Sequence, residues 1–286
     1  MSKKTRIASV SIASNTLLIL LKIIAGILSN SVSVISEAIH SGLDLLASII
    51  AYFSVKVSDL PPDERHPYGH GKFENVSGVI EALLIFIAAI WISYEAIKKI
   101  INPEEVEKNG IGVGIIVMLV AAIVNILVSR KLYKVAKETE SVALEADALH
   151  LKTDVYTSIG VALGLFLIWI TGWHILDPIV ALLVVVIIIK ESYELLRKAF
   201  LPLLDETLPA HDLVTLRSII DKHCINEIKY HNLRTRKAGN YKFIDLHLEV
   251  PEDISVKKAH DICDAIEESI KLKFTHTEVN IHVETL

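Results

Sequence analysis

Cysteine is nearly missing from this chain: Cys224 and Cys263 are the only two in 286 residues, too few for a disulfide framework or a cysteine-rich zinc module. Both lie in the polar C-terminal part and read as reduced cytosolic side chains. A basic excess is missing as well. Asp and Glu total 34 against 29 Lys and Arg, for a formal net charge of −5, which offers no basic face to nucleic acid. No His-Glu-x-x-His occurs, so a metalloprotease's helix-borne zinc pair and general base are lacking. The basic start Met1-Ser2-Lys3-Lys4-Thr5-Arg6 has no small-residue cleavage site behind it, so it reads as the head of a spanning helix rather than a signal peptide.

What the chain does have is apolar length. Hydrophobic residues make up 52% and the mean hydropathy is +0.47, too high for an ordinary soluble protein. Six windows of the roughly 20 apolar residues that a span needs can be drawn, at 7–28, 32–56, 75–101, 111–133, 143–170 and 175–198. The expected fold is an all-α, six-helix transmembrane domain over 1–200, a linker over 201–208, and a C-terminal α+β domain over 209–286. Lys3, Lys4, Arg6, Lys56, Arg65, Lys72, Arg130, Lys131, Lys134, Lys137, Arg197 and Lys198 fall on one side of such a fold. That bias predicts a multi-pass protein of the cell (inner) membrane, lodged in lipid, with both termini in the cytoplasm. Lys98, Lys99 and Lys108 oppose it, beside Glu104, Glu105 and Glu107.

From about 209 the pattern reads helix, strand, strand, helix, strand, with Lys237-Ala238-Gly239-Asn240 as a hairpin turn. Ile244, Leu246, Leu248 and Val250 alternate with Asp245, His247 and Glu249, and Val279, Ile281 and Val283 alternate with Asn280, His282 and Glu284. One face of each strand is core, and His247, His282 and Glu284 share the other.

Ionisable groups inside a span are costly and mark function by default. The second window holds His40-x-x-x-Asp44 and the fifth holds His150-x-x-x-Asp154. Residues four apart on a helix share a face at about 5–6 Å, so each pair offers two ligands to one ion. Two such helices facing each other supply two imidazoles and two carboxylates, a tetrahedral set suited to Zn²⁺. Glu37 and Asp147 extend the same stripes by one turn, as access groups or as helix-packing contacts. Lys22, Asn15 and Asn125 read as snorkelling or interhelical contacts. Between the second and third windows Asp63, His66 and His70 could hold a further ion, although a rigid loop with surface histidines explains the same residues. In the tail His231, His247, His260, His282 and Glu284 could form a metal cluster or be plain solvated side chains. His174, His211, His223 and His276 fit no grouping.

These motifs resemble the cation diffusion facilitator family: His40-x-x-x-Asp44, His66-Pro67-Tyr68-Gly69-His70-Gly71-Lys72, His150-x-x-x-Asp154 and His231-Asn232-Leu233-Arg234-Thr235-Arg236, with nearly the whole chain covered. The resemblance implies a homodimer with six spans and a ferredoxin-like (αββαβ) cytoplasmic domain, exporting a divalent metal in exchange for protons. It implies a transport site of His40, Asp44, His150 and Asp154, a loop site of Asp63, His66 and His70, and a tail site of His231, His247, His260, His282 and Glu284. It also implies a Lys72–Asp205 pair near the dimer contact. Some members carry Asp where His40 stands, and a shorter Asp where Glu284 stands. The extra nitrogen ligand favours Zn²⁺, as cargo and as bound ion, over Mn²⁺ or Cd²⁺. An exporter of the same family preferring Fe²⁺ or Mn²⁺, a membrane metal sensor, and a membrane metalloenzyme are the alternatives.

Overall fold

The computed structural model describes residues 2–29, 32–102, 111–173, 175–225 and 227–286, and within them leaves the side chains of 25–29, 32–40, 43, 111–114, 161, 165 and 169 undescribed. The chain divides into two compact units. The first comprises 1–69 and 73–200, and the second comprises 70–72 and 201–286.

Six long helices of the first unit fall among the described residues: α1 (Lys3–Ser29), α2 (Val32–Ser58), α3 (Lys72–Ile101), α4 (Ile111–Thr139), α5 (Val142–Thr171) and α6 (Leu176–Phe200). Lys3–Ile24, Lys72–Ile101, Ile115–Thr139 and Val142–Ile168 are each long and apolar enough to cross a membrane. The unit is apolar outside: Leu20, Ile87, Ile90, Trp91, Ile123, Leu183 and Val186 are exposed, as lipid-facing positions are. Its contacts are made by small residues, since only close backbone approach gives helices an advantage over lipid. Ala8, Ala136, Ala143 and Ala148 join Val55, Leu132, Leu144 and Leu151 in a core shared by α1, α2, α4 and α5. Ala82, Ala89 and Ala146 join Ile85, Val185 and Ile188 in a second core of α3, α5 and α6. Helix α5 belongs to both and is the central element.

Local signals start and stop α5. Ser141 caps it by accepting a hydrogen bond from the Leu144 amide, and Gly172, at φ 71°, ends it in the left-handed conformation that glycine adopts without strain. Ser141 also donates to Glu74, and Glu74 Oε1 accepts from Lys4 Nζ at 2.9 Å and Ser58 Oγ at 2.8 Å. One buried carboxylate thus ties α1, α2, α3 and the start of α5.

The second unit opens with a 3-10 turn, Leu201–Leu204, then α7 (Ala210–Asp221), β1 (Lys229–Ala238), β2 (Tyr241–Val250), α8 (Val256–Lys273) and β3 (Thr277–Thr285). The expected linker is counted in this unit, with Leu208 buried and its amide donating to Thr235 Oγ1 at 3.0 Å. β1 and β2 are antiparallel, and β3 lies parallel to β2 after the α8 crossover. Ile244, Leu246, Leu248 and Val250 meet Leu216, Ile220, Ile266 and Ile270 of the helices in one core. Gly239, at φ 59°, makes the hairpin turn. Gly71 belongs here too, because a Cβ on it would lie 2.2 Å from Ala238 O.

Candidate metal centres

The first centre forms where α2 and α5 meet. His150 Nε2 lies 3.1 Å from Asp44 Oδ1, and ligand atoms of Asp44, His150 and Asp154 all lie within 4.8 Å of one another. Ligands about 2.1 Å from a tetrahedral metal stand roughly 3.4 Å apart, so the His150–Asp44 separation suits a shared ion. Asp44 is 7% and His150 6% exposed, which withdraws both from bulk solvent. A cavity of about 20 Å³ opens beside them, lined among others by Asn15, Lys22, Asp44, Asn125 and Asp154. That is room for about one water-sized occupant. The backbone of His40 lies one helical turn before Asp44 on α2, but the side chains of His40 and Glu37 lie outside the described residues.

Behind this centre runs a buried polar chain. Asn15 Nδ2 donates to Ser48 Oγ at 2.8 Å, and Ser48 Oγ donates to Asp147 Oδ1 at 2.9 Å. Asp147 is therefore an interhelical acceptor, and Asn15 is the interhelical contact expected of it. Of the two readings given for Lys22, the interhelical contact holds. The lysine is 7% exposed and donates to Ser41 Oγ at 2.7 Å, pointing into the bundle rather than to a headgroup layer. Glu81 of α3, fully buried beside the same helices, escaped the sequence reading because nothing repeats its spacing.

In the loop after α2, His66 Nδ1 lies 3.4 Å from Asp63 Oδ1, and Asp63 also accepts from the amides of Arg65 and His66. His70 is buried in the second unit. In that unit Lys72 Nζ lies 2.9 Å from Asp205 Oδ1, with Arg236 Nη1 at 3.8 Å from the same oxygen.

The tail centre is a row across the sheet. His231 pairs in register with His247, and His247 with His282. Their rings stand 5.1 Å apart at each step. Glu284 bridges them, with Oε1 at 2.7 Å from His247 Nδ1 and Oε2 at 3.5 Å from His231 Nε2; His282 Nε2 is 3.6 Å from Oε1. Glu249, which sequence reading left as a polar strand residue, contacts His231 Nδ1 at 3.2 Å. A register shift between His231 and Arg234, with Asn232 at φ 52°, bends β1 at this point. His260 does not join the row within one chain. It stands on α8 beside Asp264, 3.6 Å away, and lines a cavity with Val279, Ile281 and Val283, on the helix side of the sheet. His211 and His223 stand apart as expected, the one beside Asp212 and the other on Ser269; His276 packs on Tyr241, and His174 lies outside the described residues. Cys224 and Cys263 are free thiols whose pKa values burial pushes up.

Comparison with known proteins places both parts of the chain in one family of transporters. Residues 8–204 match the family of cation efflux transmembrane domains, and residues 208–286 match that of the cation efflux protein cytoplasmic domain. The cation-efflux pump FieF of Escherichia fergusonii is 32% identical over 278 residues, 97% of this chain and 91% of its own. An uncharacterized transporter of Synechocystis sp. is 35% identical over 266 residues, 93% of this chain and 85% of its own. A solved zinc-form structure of CzrB, a proposed zinc transporter, is 33% identical, covering 28% of this chain and 92% of that one with a TM-score of 0.27. The chain belongs to the cation diffusion facilitator family, as a multi-pass membrane transporter for the efflux of divalent cations and not an enzyme.

Proposed function

We propose that the chain is a homodimeric zinc/proton antiporter of the inner membrane, with six spans and both termini in the cytoplasm. The observation that carries the reading is the buried cluster of Asp44, His150 and Asp154, to which His40, one turn before Asp44, would add a fourth ligand. Two imidazoles with two carboxylates suit Zn²⁺ better than the harder Mn²⁺. Zinc binds neutral imidazole and ionised carboxylate, so protons and zinc compete for the same atoms.

Two further sites act on the cytoplasmic side of this reading. Asp63, His66 and His70 hold an ion in the loop. His231, His247, His282 and Glu284 hold ions in the tail, drawing two tail domains together when cytoplasmic metal rises. His260 stands apart from that row in one chain, and Lys72 with Asp205 fastens the loop's end to the tail domain.

Metal-dependent proton flux in proteoliposomes tests this across Zn²⁺, Cd²⁺, Mn²⁺, Fe²⁺ and Co²⁺. Zinc is expected to drive the largest flux. A larger flux with Mn²⁺ would refute the selectivity, and metal binding without any flux would identify a sensor.

A further inference from the structure

The cavity beside the transport centre contains a group that a cation site would be expected to exclude. Lys22 lines it together with Asp44 and Asp154, and its ammonium is held by Ser41 Oγ at 2.7 Å. Ser41 follows His40 directly and stands three residues before Asp44 on α2. A lysine within a span ordinarily extends its stem so that the charge reaches the headgroups. This one is 7% exposed. A buried ammonium is costly unless acidic groups compensate it, and two carboxylates share its cavity.

We propose that Lys22 is the resident cation of the transport site, balancing Asp44 and Asp154 when the site is empty and opposing the arriving metal ion. The proposal rests on the transport reading above. Asp44 and Asp154 together carry two negative charges and Lys22 returns one, so the empty site with neutral histidines is singly negative. A divalent ion makes the loaded site singly positive. Without Lys22 the same loaded site would be neutral and would hold its ion more tightly. The ammonium therefore keeps affinity low enough for release and disfavours any second cation in a cavity with room for about one occupant. Ser41 supplies a hydrogen bond that helps hold the ammonium at the cavity wall.

The test uses the full chain in detergent and in proteoliposomes, with Zn²⁺ as the probe. Lys22→Met keeps the apolar stem and removes the charge, while Lys22→Arg keeps the charge. Lys22→Met is expected to bind Zn²⁺ at the transport site at least about tenfold more tightly and to lose turnover at saturating Zn²⁺, with KM and kcat falling together. Lys22→Arg is expected to stay within about threefold of the native affinity, well inside that Coulomb effect. Damage to packing alone would weaken binding, so tightening is a readout that a structural role does not give. Unchanged or weaker zinc binding by a folded Lys22→Met chain overturns the proposal, and so does failure of both Lys22→Met and Lys22→Gln to fold where Lys22→Arg folds. If the native chain moves no divalent ion, it is the transport reading that fails, and the affinity comparison still decides the role of Lys22.

Discussion

His150 Nε2 lies 3.1 Å from Asp44 Oδ1 although 106 residues separate them, a contact between the two helices that carry the repeated His-x-x-x-Asp pattern. It is made where α5 serves both helical cores of the first unit. Movement of α2 against α5 would therefore open or close the ligand set.

Glu74 is the fastening at the other end of these helices. It is buried and receives Lys4, Ser58 and Ser141 from three other segments. Glu74→Ala leaves the Lys4 ammonium with Asp59 as its carboxylate partner among the described residues and is expected to cost about 3–5 kcal/mol. Thermal unfolding in detergent measures it. A loss below about 1 kcal/mol, the scale of an exposed pair, would show that the cluster does not fasten the helices.

Gly71 fits where no larger residue does. A Cβ there would stand 2.2 Å from Ala238 O and 2.9 Å from Ala238 C, both backbone atoms that cannot rotate away. Gly71→Ala is expected to destabilise the hairpin of the second unit by about 1–3 kcal/mol, read as faster hydrogen exchange at Ala238 to Tyr241. Unchanged exchange would contradict the packing.

His247 is the middle of the tail row, in contact with Glu284 and between the rings of His231 and His282. Substituting His247→Ala in the full chain is expected to weaken zinc binding to the tail at least about tenfold while leaving the fold intact, since the side chain is only half-buried. Isothermal titration with the transport site disabled by Asp154→Ala and the loop site by His66→Ala isolates the tail signal. Native tail affinity in His247→Ala would exclude the row as a metal centre.

Burial raises the pKa values of both Cys224 and Cys263. A raised thiol pKa leaves less of the reactive thiolate at a given pH. At pH 8 the native chain should therefore alkylate with iodoacetamide more slowly than the urea-unfolded chain. The gap should close as pH climbs past the folded values, and equal rates at pH 8 would contradict the shift.

The sequence showed most of this clearly where periodicity carries the signal. A four-residue spacing marked His40, Asp44, His150 and Asp154, and two-residue alternation separated the core and polar faces of β2 and β3. The helices outrun the apolar windows because hydropathy reports lipid rather than helix: α4 continues through Arg130, Lys131 and Lys134 to Thr139. Glu249 lay on the polar stripe in plain view, but its contact with His231 depends on strand register and on the bend at Asn232, neither of which a single strand reveals. Glu74 and Glu81 stood outside any repeat: the partners of Glu74 come from other segments, and Glu81 accepts from Ser77 of its own helix at 3.1 Å. The sequence leaves Lys22 either snorkelling or an interhelical contact, because only the position of α2 decides whether a lysine stem turns outward or inward. His260 was grouped with the tail site by the strand reading as well as by resemblance, while α8 places it beside Asp264 and on the helix side of the sheet.

The most direct test of the central claim is zinc uptake by proteoliposomes containing the His150→Ala, Asp154→Ala chain, with native chain and empty vesicles beside it. Two of the clustered ligands are removed together, so uptake should drop to the level of empty vesicles while the protein stays folded by its thermal transition. Uptake at the native rate would contradict transport through the Asp44, His150 and Asp154 cluster.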